Sequence, residues 1–207
     1  YWPQYAENIY SEAGRENNGV YDVLYAGNIG PAADVETIVK AAVKLKDKQN
    51  IFFHIVGDGM NRGACEKIAE DNQLNNIHFY GSYPVEKMKE FYTKADALLI
   101  TMKDNQVVNY TLPAKMQSYM LSGKPIIGAI NGETQRVIHD SKCGYCVNSG
   151  EYGELANCIL EASKDETDTK GLGKNAKEYY NQHFDKETLL DNLEKMMLEL
   201  IGRNSNL

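Results

Sequence analysis

The sequence predicts a doubly wound α/β domain, in which a mostly parallel, six-stranded, Rossmann-like sheet carries helices on both faces and further helices at its carboxyl end. Short apolar runs alternate with amphipathic segments of about ten residues, which is the pattern of repeated βαβ units. Runs such as 51–56 are apolar at nearly every position, as parallel strands covered on both faces are. Three helices close the chain, and we expect them to pack on the flank of the sheet or to extend towards another domain.

In the first half of the chain, turn signals separate the elements. The polar residues 1–19 are typical of a linker, and the apolar run 20–25 predicts the first strand. Asp34 suits the N-cap of a helix at 35–45, whose apolar residues recur at helical spacing. By the same patterns, further strands are predicted at 51–56 and 77–80, and further helices at 62–72 and 84–94.

The second half is centred on the helix that Pro113 begins. Proline suits a first helical position because its missing N–H has no intrahelical partner there. Met116, Tyr119 and Met120 give this helix one apolar face, and Gly123 suits the left-handed position after its last turn. The remaining predictions are strands at 95–101, 125–129 and 143–147, a polar loop at 102–111, and helices at 133–140, 150–163, 171–182 and 186–201.

Composition limits the possible functions. A length of 207 residues suits one large domain, and the net charge of −7 argues against nucleic acid or an anionic membrane as the main partner. No apolar run is long enough to span a bilayer, and the first residues do not form a secretory signal. Because the chain begins with Tyr1 rather than methionine, we expect a fragment or a processed chain.

The four cysteines do not predict a disulfide framework. Cys143 and Cys146 match a C-x-x-C redox pattern in letters, but they lie in an extended run rather than at the amino end of a helix, where a thiol pKa falls. A redox or zinc role is therefore disfavoured. Cys65 and Cys158 fall on apolar helix faces and are expected in the core.

A ligand site is expected beyond the carboxyl ends of the strands, where open parallel sheets bind their ligands. Three of the loops there carry glycine, which lets backbone N–H groups approach phosphate, and a fourth is long and polar. None completes the G-x-G-x-x-G or G-x-x-x-x-G-K-[ST] motif, which disfavours dinucleotide and P-loop sites. The sequence thus predicts a phosphate-bearing small-molecule ligand. The four loops are 27–30, 57–59, 81–82 and 102–111.

Lys115 is unusual because it lies in the first turn of a helix, where the macrodipole disfavours a cation. A bound phosphate would reconcile this placement, using the free N–H groups of residues 111–114 as well. The alternative is a solvated lysine. Asp58 similarly either caps the following helix or contacts a ligand, and His54 is expected to be a hydrogen-bonded core histidine.

Several short motifs, taken in order, resemble the carboxyl-terminal half of GT-B fold glycosyltransferases of group 1, also called family 4. The likeness runs from about Val20 to Leu200. The motifs are Tyr25-Ala-Gly-Asn-Ile-Gly30, Phe53-His-Ile-Val-Gly-Asp-Gly59, Ile77-His-Phe-Tyr-Gly-Ser-Tyr-Pro84, Lys94-Ala-Asp-Ala-Leu-Leu-Ile100, Leu112-Pro-Ala-Lys-Met-Gln-Ser-Tyr-Met120, Gly123-Lys-Pro-Ile-Ile127, Cys143-Gly144 and Tyr180-Asn-Gln-His-Phe184.

The resemblance implies a linker at 1–19, a nucleotide-sugar-binding domain at 20–207 and an amino-terminal acceptor domain that this chain lacks. The whole enzyme would transfer a sugar from a UDP- or GDP-sugar, with retention, to a saccharide or lipid-linked acceptor of a bacterial cell-surface polysaccharide such as a capsule. It would need no metal and no cofactor. It would be cytoplasmic, at most peripheral to the inner face of the membrane, and the fragment alone would be inactive.

The resemblance also assigns the substrate-binding residues. The diphosphate would lie against Gly27, Asn28, Ile29 and Gly30 and against Asn109, Tyr110, Thr111, Leu112 and Lys115. The base and ribose would lie near Gly57, Asp58, Gly59, Tyr80, Gly81 and Tyr83, with Ser118 in reach of a hydroxyl.

This sequence departs from the family pattern at four positions. Asn28 and Ala33 stand where the family commonly carries a phosphate-binding arginine and lysine, and Tyr110 and Ser118 stand where it carries two glutamates. Weaker donor binding, a different ribose contact and a lost activity all stay open. The alternative function is a non-catalytic GT-B module that partners or scaffolds an active transferase. A flavodoxin-like regulatory domain is disfavoured because no acidic cluster marks a phospho-acceptor site.

Overall fold

The computed structural model describes residues 4–6, 18–164 and 166–204 of the chain, and in that part it contains one sheet of six parallel strands. The strands are β1 (Tyr21–Ala26), β2 (Ile51–Val56), β3 (Ile77–Gly81), β4 (Ala97–Thr101), β5 (Ile126–Ala129) and β6 (Gly144–Val147). Their spatial order is β3-β2-β1-β4-β5-β6, so the crossover direction reverses between β1 and β4. The predicted doubly wound sheet is confirmed.

Helices cover both faces of this sheet. They are α1 (Val35–Lys44), α2 (Arg62–Asp71), α3 (Val85–Lys94), α4 (Gln106–Asn109), α5 (Lys115–Leu121), α6 (Glu133–Ser141), α7 (Tyr152–Ala162), α8 (Glu166–His183) and α9 (Lys186–Asn204). Apolar side chains of α1, α2 and α7 form one core cluster, and those of α3, α5, α6 and α8 form the other. In the described part of the chain, no helix has the length and apolar character to cross a membrane.

Successive side chains of the central strands point alternately into the two core clusters. Val23 and Tyr25 of β1 point into the cluster with α1, whereas Leu24 points into the cluster with α5. β4 is buried along its whole length. Burial of each large apolar side chain contributes about 1.5–3 kcal/mol, so the two-sided core explains why these strands are apolar at successive positions.

Some predicted boundaries are wrong. α5 begins at Lys115 rather than at Pro113, whose carbonyl instead accepts a turn hydrogen bond from Met116 N at 2.8 Å. The loop 102–111 contains the one-turn helix α4, which is too short for periodicity to reveal; the Asn105 side chain caps it by accepting from Val107 N at 2.9 Å. α8 begins at residue 166 rather than 171, so that Gly171 and Gly173 lie inside the helix.

Asp34 occupies the N-cap position of α1 but does not cap it with its side chain. Its backbone is left-handed, with φ of 50°, and its carboxylate accepts a hydrogen bond from the Thr37 hydroxyl at 2.7 Å. The predicted position is therefore right and the predicted backbone cap is wrong.

The closing helices differ in how they pack. α7 packs on α1, and α8 packs on α5, where a side chain at Gly173 would overlap the Gly123 carbonyl. Beyond Leu189, α9 exposes a row of apolar side chains: Leu190, Leu193, Met196, Met197, Leu198, Leu200 and Ile201. The expectation of flank packing is thus confirmed for α7 and α8.

The cysteines are free thiols. Cys143 is buried just before β6, Cys146 lies in β6, and burial raises the pKa of these thiols to about 11 and about 12 respectively. Cys65 is fully buried and Cys158 packs against the same core cluster, as predicted.

Candidate functional site

The glycine-bearing loops after β1, β2 and β3 meet at the carboxyl edge of the sheet. Backbone hydrogen bonds join them: Gly27 N donates to Val56 O at 2.9 Å, Ile29 N donates to Asp58 O at 2.8 Å, and Gly57 N donates to Gly81 O at 2.8 Å. Because β3, β2 and β1 are neighbours, the predicted segments 27–30, 57–59 and 80–83 lie side by side at this edge.

Two of these glycines are required by contacts between the loops. A Cβ at Gly57 would overlap the Gly27 carbonyl oxygen, and a Cβ at Gly59 would lie 2.6 Å from the Ile29 carbonyl carbon. Both have positive φ, 142° and 154°, which disfavours any side chain. These glycines therefore have a structural reason that is independent of a ligand.

Lys115 supplies a cation beside the first of these loops. Its ammonium lies 3.9 Å from the centre of the Tyr25 ring, and a Cβ at Gly27 would come within 2.7 Å of that nitrogen. Within the described residues, Lys115 has neither a hydrogen bond nor an ion pair, and desolvation lowers its pKa to about 7. An ammonium that is desolvated without a counter-charge is a site for an anion.

Tyr119 fixes α5 against the end of β1. The Ala26 N–H donates to the Tyr119 hydroxyl at 2.9 Å, and that hydroxyl donates to the Ala26 carbonyl at 3.2 Å. Met116, Tyr119 and Met120 are fully buried, which confirms the predicted apolar face. Ser118, one turn after Lys115, is half-buried and its hydroxyl has no partner among the described residues.

The segment before α5 uses most of its polar groups internally. The prediction that residues 111–114 offer free N–H groups is wrong at two positions, because Thr111 N donates to Val108 O at 2.9 Å and Pro113 has no N–H. Asn109 Nδ2 donates to Asp104 Oδ1 at 2.8 Å, and Tyr110 is 81% exposed. Leu112 is half-buried against the core cluster of α5.

In the first loop, Ile29 and Asn28 play different parts. The Ile29 side chain is fully buried, its N–H is bonded to Asp58 O and its carbonyl accepts from Asn61 N at 2.9 Å. Ile29 therefore packs as a core residue, and its contact with a ligand stays a prediction. The Asn28 amide lies between Gly30 and Gly59, where it fills the space that both glycines leave.

Arg62 is a second cation at this edge, and the sequence reasoning missed it. Its guanidinium donates to Glu66 at 2.7 Å, lies 3.5 Å from Asp58 Oδ2, and lies beside Gly81. The available signal was an arginine in the first turn of a helix, four residues before a glutamate. Asp58 does not cap α2; its carboxylate accepts from Gly59 N at 2.7 Å and faces Arg62.

On the sheet face beside α3, His54 joins two residues of neighbouring strands. Its Nε2 is 2.8 Å from Asp22 Oδ1 and its Nδ1 is 2.8 Å from the Tyr80 hydroxyl. The predicted hydrogen bonding is confirmed, but the core placement is wrong because this part of the face is half-exposed. Tyr80 and Tyr83 are 39% and 46% exposed and pack edge-on against Phe91.

The described residues contain no group of three or more histidine, cysteine or carboxylate side chains arranged to hold a metal ion. Two cations at this edge of the sheet are Lys115, which faces an aromatic ring, and Arg62, which is paired with carboxylates. An arrangement of this kind can bind an anion next to a flat, partly aromatic surface.

Curated relatives and solved structures match this chain over part of their own length. WcaI of Escherichia coli, named as a colanic acid biosynthesis glycosyl transferase, is 29% identical over 101 residues, which is 49% of this chain and 24% of that protein. WbjE of Pseudomonas aeruginosa, named as a glycosyltransferase, is 22% identical over 182 residues, which is 87% of this chain and 44% of that protein.

The fold matches that of the Anabaena protein Alr3699/HepE, which has been solved with UDP. The TM-score is 0.76 at 19% identity, over 87% of this chain and 49% of that one. The chain thus spans about half the length, or less, of these similar proteins. The sequence model of the family described as "Glycosyl transferases group 1" matches residues 7–179, and the chain belongs to that family.

Proposed function

We propose that this chain is the donor-binding domain of a glycosyltransferase and that it binds a nucleotide-diphosphate sugar at the carboxyl edge of β1 to β4. The observation that carries the proposal is Lys115, a desolvated cation that no described carboxylate neutralises, held against the Gly27 loop. Relatives named as glycosyltransferases and the similar Anabaena structures with UDP and with UDP-glucose support this choice of ligand.

In this arrangement the diphosphate lies against the Lys115 ammonium and the loop 27–30. The base and ribose occupy the surface of Gly57 to Gly59 and of Tyr80 to Tyr83, whose exposed rings offer a stacking face. Arg62 and Asp58 border that surface as a charged pair. Ser118 offers one neutral hydroxyl to the ligand, in place of a charged acceptor.

The wider organisation is also part of the proposal. Residues 1–19 serve as a linker from an amino-terminal acceptor domain, and 20–207 form the carboxyl-terminal donor domain of a family 4, GT-B enzyme. This chain spans about half the length, or less, of its relatives, and the rest of their length is sufficient for such a domain. Transfer proceeds with retention. It needs no metal, because Lys115 supplies the positive charge at the diphosphate. The acceptor is a cell-surface saccharide, in keeping with the name of WcaI, and the enzyme works at the inner face of the membrane.

Calorimetric titration of this domain with UDP, GDP and their sugars tests the proposal. We expect one family of nucleotides to bind, Lys115→Met to weaken that binding at least about tenfold, and the domain alone to transfer no sugar. Absence of binding at millimolar ligand, both in this domain and in the full-length protein, contradicts the proposal. The comparison of UDP with GDP also identifies the base.

A second candidate is a non-catalytic GT-B module that partners or scaffolds an active transferase. The observation that favours it is the segment 105–123, which contains no aspartate or glutamate, so that exposed Tyr110 and neutral Ser118 take the places of two family glutamates. Sugar transfer by the full-length protein excludes this candidate. Donor binding without any turnover supports it.

A further inference from the structure

A donor that binds at this edge of the sheet brings more negative charge than Lys115 can offset. A nucleotide-diphosphate sugar carries two negative charges, one on each phosphate, whereas the Lys115 side chain supplies a single positive charge. Arg62 is already paired with Glu66 at 2.7 Å and lies 3.5 Å from the Asp58 carboxylate. A further positive group near the loop 27–32 would therefore improve the charge balance of the proposed site.

Lys103 is the single lysine or arginine in the segments that follow the first four strands. These segments run from the carboxyl end of each strand to α1, α2, α3 and α5, and they are 27–34, 57–61, 82–84 and 102–114. Lys103 is the second residue after β4, and β4 is the neighbour of β1 in the sheet. It therefore lies where the strand order reverses, which is where open parallel sheets bind their ligands.

Hydrogen bonds fasten the segment that carries Lys103 to the loop after β1. The Lys103 N–H donates to the Ala32 carbonyl at 2.9 Å, and the Thr101 hydroxyl donates to the Ala33 carbonyl at 2.7 Å. On the other side, the Ser149 hydroxyl donates to the carbonyl of residue 102. The backbone position of Lys103 is thus fixed next to the last residue of the loop 27–32.

The loop 27–32 lies between two lysines and has backbone donors to spare. The Lys115 ammonium lies against the first residue of the loop, and the backbone of Lys103 is bonded to its last residue. Between them, the N–H groups of Asn28 and Gly30 donate to no described residue. Unbonded backbone N–H groups with cations beside them are the features of an anion-binding loop.

The charge of Lys103 is available to a ligand. Its side chain is exposed, and its ammonium has neither a hydrogen bond nor an ion pair in the part of the chain that is described. Two neighbouring carboxylates are bonded to other residues. Glu36 pairs with Lys40 at 2.7 Å, and this hydrogen bond is the main cause that lowers the pKa of Glu36, to which the charge of Lys103 adds. Asp104 accepts from Asn109 Nδ2 at 2.8 Å.

We propose that Lys103 is a second phosphate ligand of the donor site, so that its ammonium and that of Lys115 bind the diphosphate from the two ends of the loop 27–32. The inference rests on the proposed nucleotide-sugar site, because it assigns a further residue to that site. The exposed Lys103 side chain becomes ordered when the donor binds, and Lys115 is already held against the loop.

The experiment is calorimetric titration of this chain with UDP-glucose, or with GDP-mannose where only guanine nucleotides bind. We expect Lys103→Met to raise the Kd about tenfold, because one charge-assisted contact to phosphate is lost. Lys103→Arg keeps the charge and should stay within about threefold of wild type. The matched control is Lys44→Met, at an exposed lysine that ends α1, and it should bind as wild type does. Added salt should weaken binding less in Lys103→Met than in wild type.

Acetylation followed by mass spectrometry gives a second readout. Exposed Lys103 should react readily in the free chain and be protected by the sugar donor, whereas Lys44 should react equally with and without it. Equal Kd values for Lys103→Met and wild type, or equal acetylation of Lys103 with and without donor, overturn the inference and leave the proposed function standing. Failure of the uridine and guanosine nucleotides and of their sugars to bind overturns the proposed function and the inference with it.

Discussion

The Lys115 ammonium lies 3.9 Å from the centre of the Tyr25 ring, so an aromatic face takes the place that a carboxylate usually has beside a desolvated lysine. A cation–π contact of this kind contributes about 0.5–2 kcal/mol, which is less than the cost of burying an unpaired ammonium. The charge of Lys115 is therefore only partly compensated within the domain. The uncompensated part of the desolvation cost destabilises the free domain, and an anionic ligand that binds the ammonium would offset it.

The first prediction concerns stability and pH. The pKa of Lys115 falls from an ordinary value of 10.5 to about 7 on folding. Between these values the unfolded chain holds a proton that the folded chain has lost, so raising the pH through this window favours the folded state. We expect the free energy of unfolding, measured by urea denaturation, to rise with pH relative to Lys115→Met. If wild type, Lys115→Met and the control Lys44→Met give parallel profiles, the prediction fails.

The second prediction concerns the contact that positions Lys115. Tyr119→Phe removes the hydroxyl that bonds both polar groups of Ala26 and leaves a buried N–H and carbonyl without that partner. The expected loss is about 1–3 kcal/mol in urea denaturation, with weaker donor binding as α5 shifts. Tyr152→Phe is the control, since its ring is 38% exposed and its hydroxyl has no hydrogen bond among the described residues. Equal effects of the two substitutions would contradict the role given to Tyr119.

Local patterns were sufficient to predict the sheet and the buried face of α5. Met116, Tyr119 and Met120 recur at the spacing of one helix face, and alternating apolar runs identified all six strands. The loops that follow β1 to β4 were expected at one edge because parallel strands all end there. The helix face and the strands are determined by the residues of each segment. The common edge of the loops follows from the parallel direction of the strands.

The contacts within the site could not be predicted, because they join residues that are far apart in the chain. Nothing in the sequence places Lys115 over Tyr25, Gly57 against Gly27, or Arg62 beside Gly81. The same limit applies to Ile29, because nothing in the glycine-bearing loop indicates that tertiary packing buries this side chain. Whether a loop glycine serves a ligand or another loop depends on a neighbour that the sequence does not identify.

The third prediction tests the contact between the two glycine loops. In Gly57→Ala the new Cβ overlaps the Gly27 carbonyl and the backbone has a φ of 142°, so we expect a loss of about 2–4 kcal/mol or failure to fold. Gly63→Ala is the matched comparison in α2, where a Cβ meets nothing within 4 Å. It should stabilise the domain by about 0.5–1 kcal/mol, because alanine is the better helix former. Thermal denaturation of both variants checks the contrast, and a Gly57→Ala domain as stable as wild type would refute it.

The fourth prediction concerns the thiols. Burial raises the pKa of Cys143 and Cys146 to about 11 and about 12, so thiolate is scarce at neutral pH. A disulfide-exchange reagent such as DTNB should react slowly with the native chain at about pH 8 and should titrate all four cysteines in denaturant. The denatured count serves as the control. Rapid native reaction of Cys146, or loss of two thiols under mild oxidation, would support the redox role that the sequence disfavours.

The fifth prediction concerns Ser118. Its half-buried hydroxyl has no partner among the described residues, and it lies one turn after Lys115. In Ser118→Glu a carboxylate gains charge-assisted hydrogen bonds to ligand hydroxyls, which the neutral Ser118→Gln provides less strongly.

We expect Ser118→Glu to bind UDP-glucose about tenfold more tightly than Ser118→Gln, a difference of about 1.4 kcal/mol. The added carboxylate also lies within one helical turn of Lys115, so it should raise the pKa of that amine. Calorimetric titration of both variants with UDP-glucose measures the two affinities. Equal affinities in the two variants would show that position 118 does not face the donor, and would leave Lys115 as the residue of α5 that recognises it.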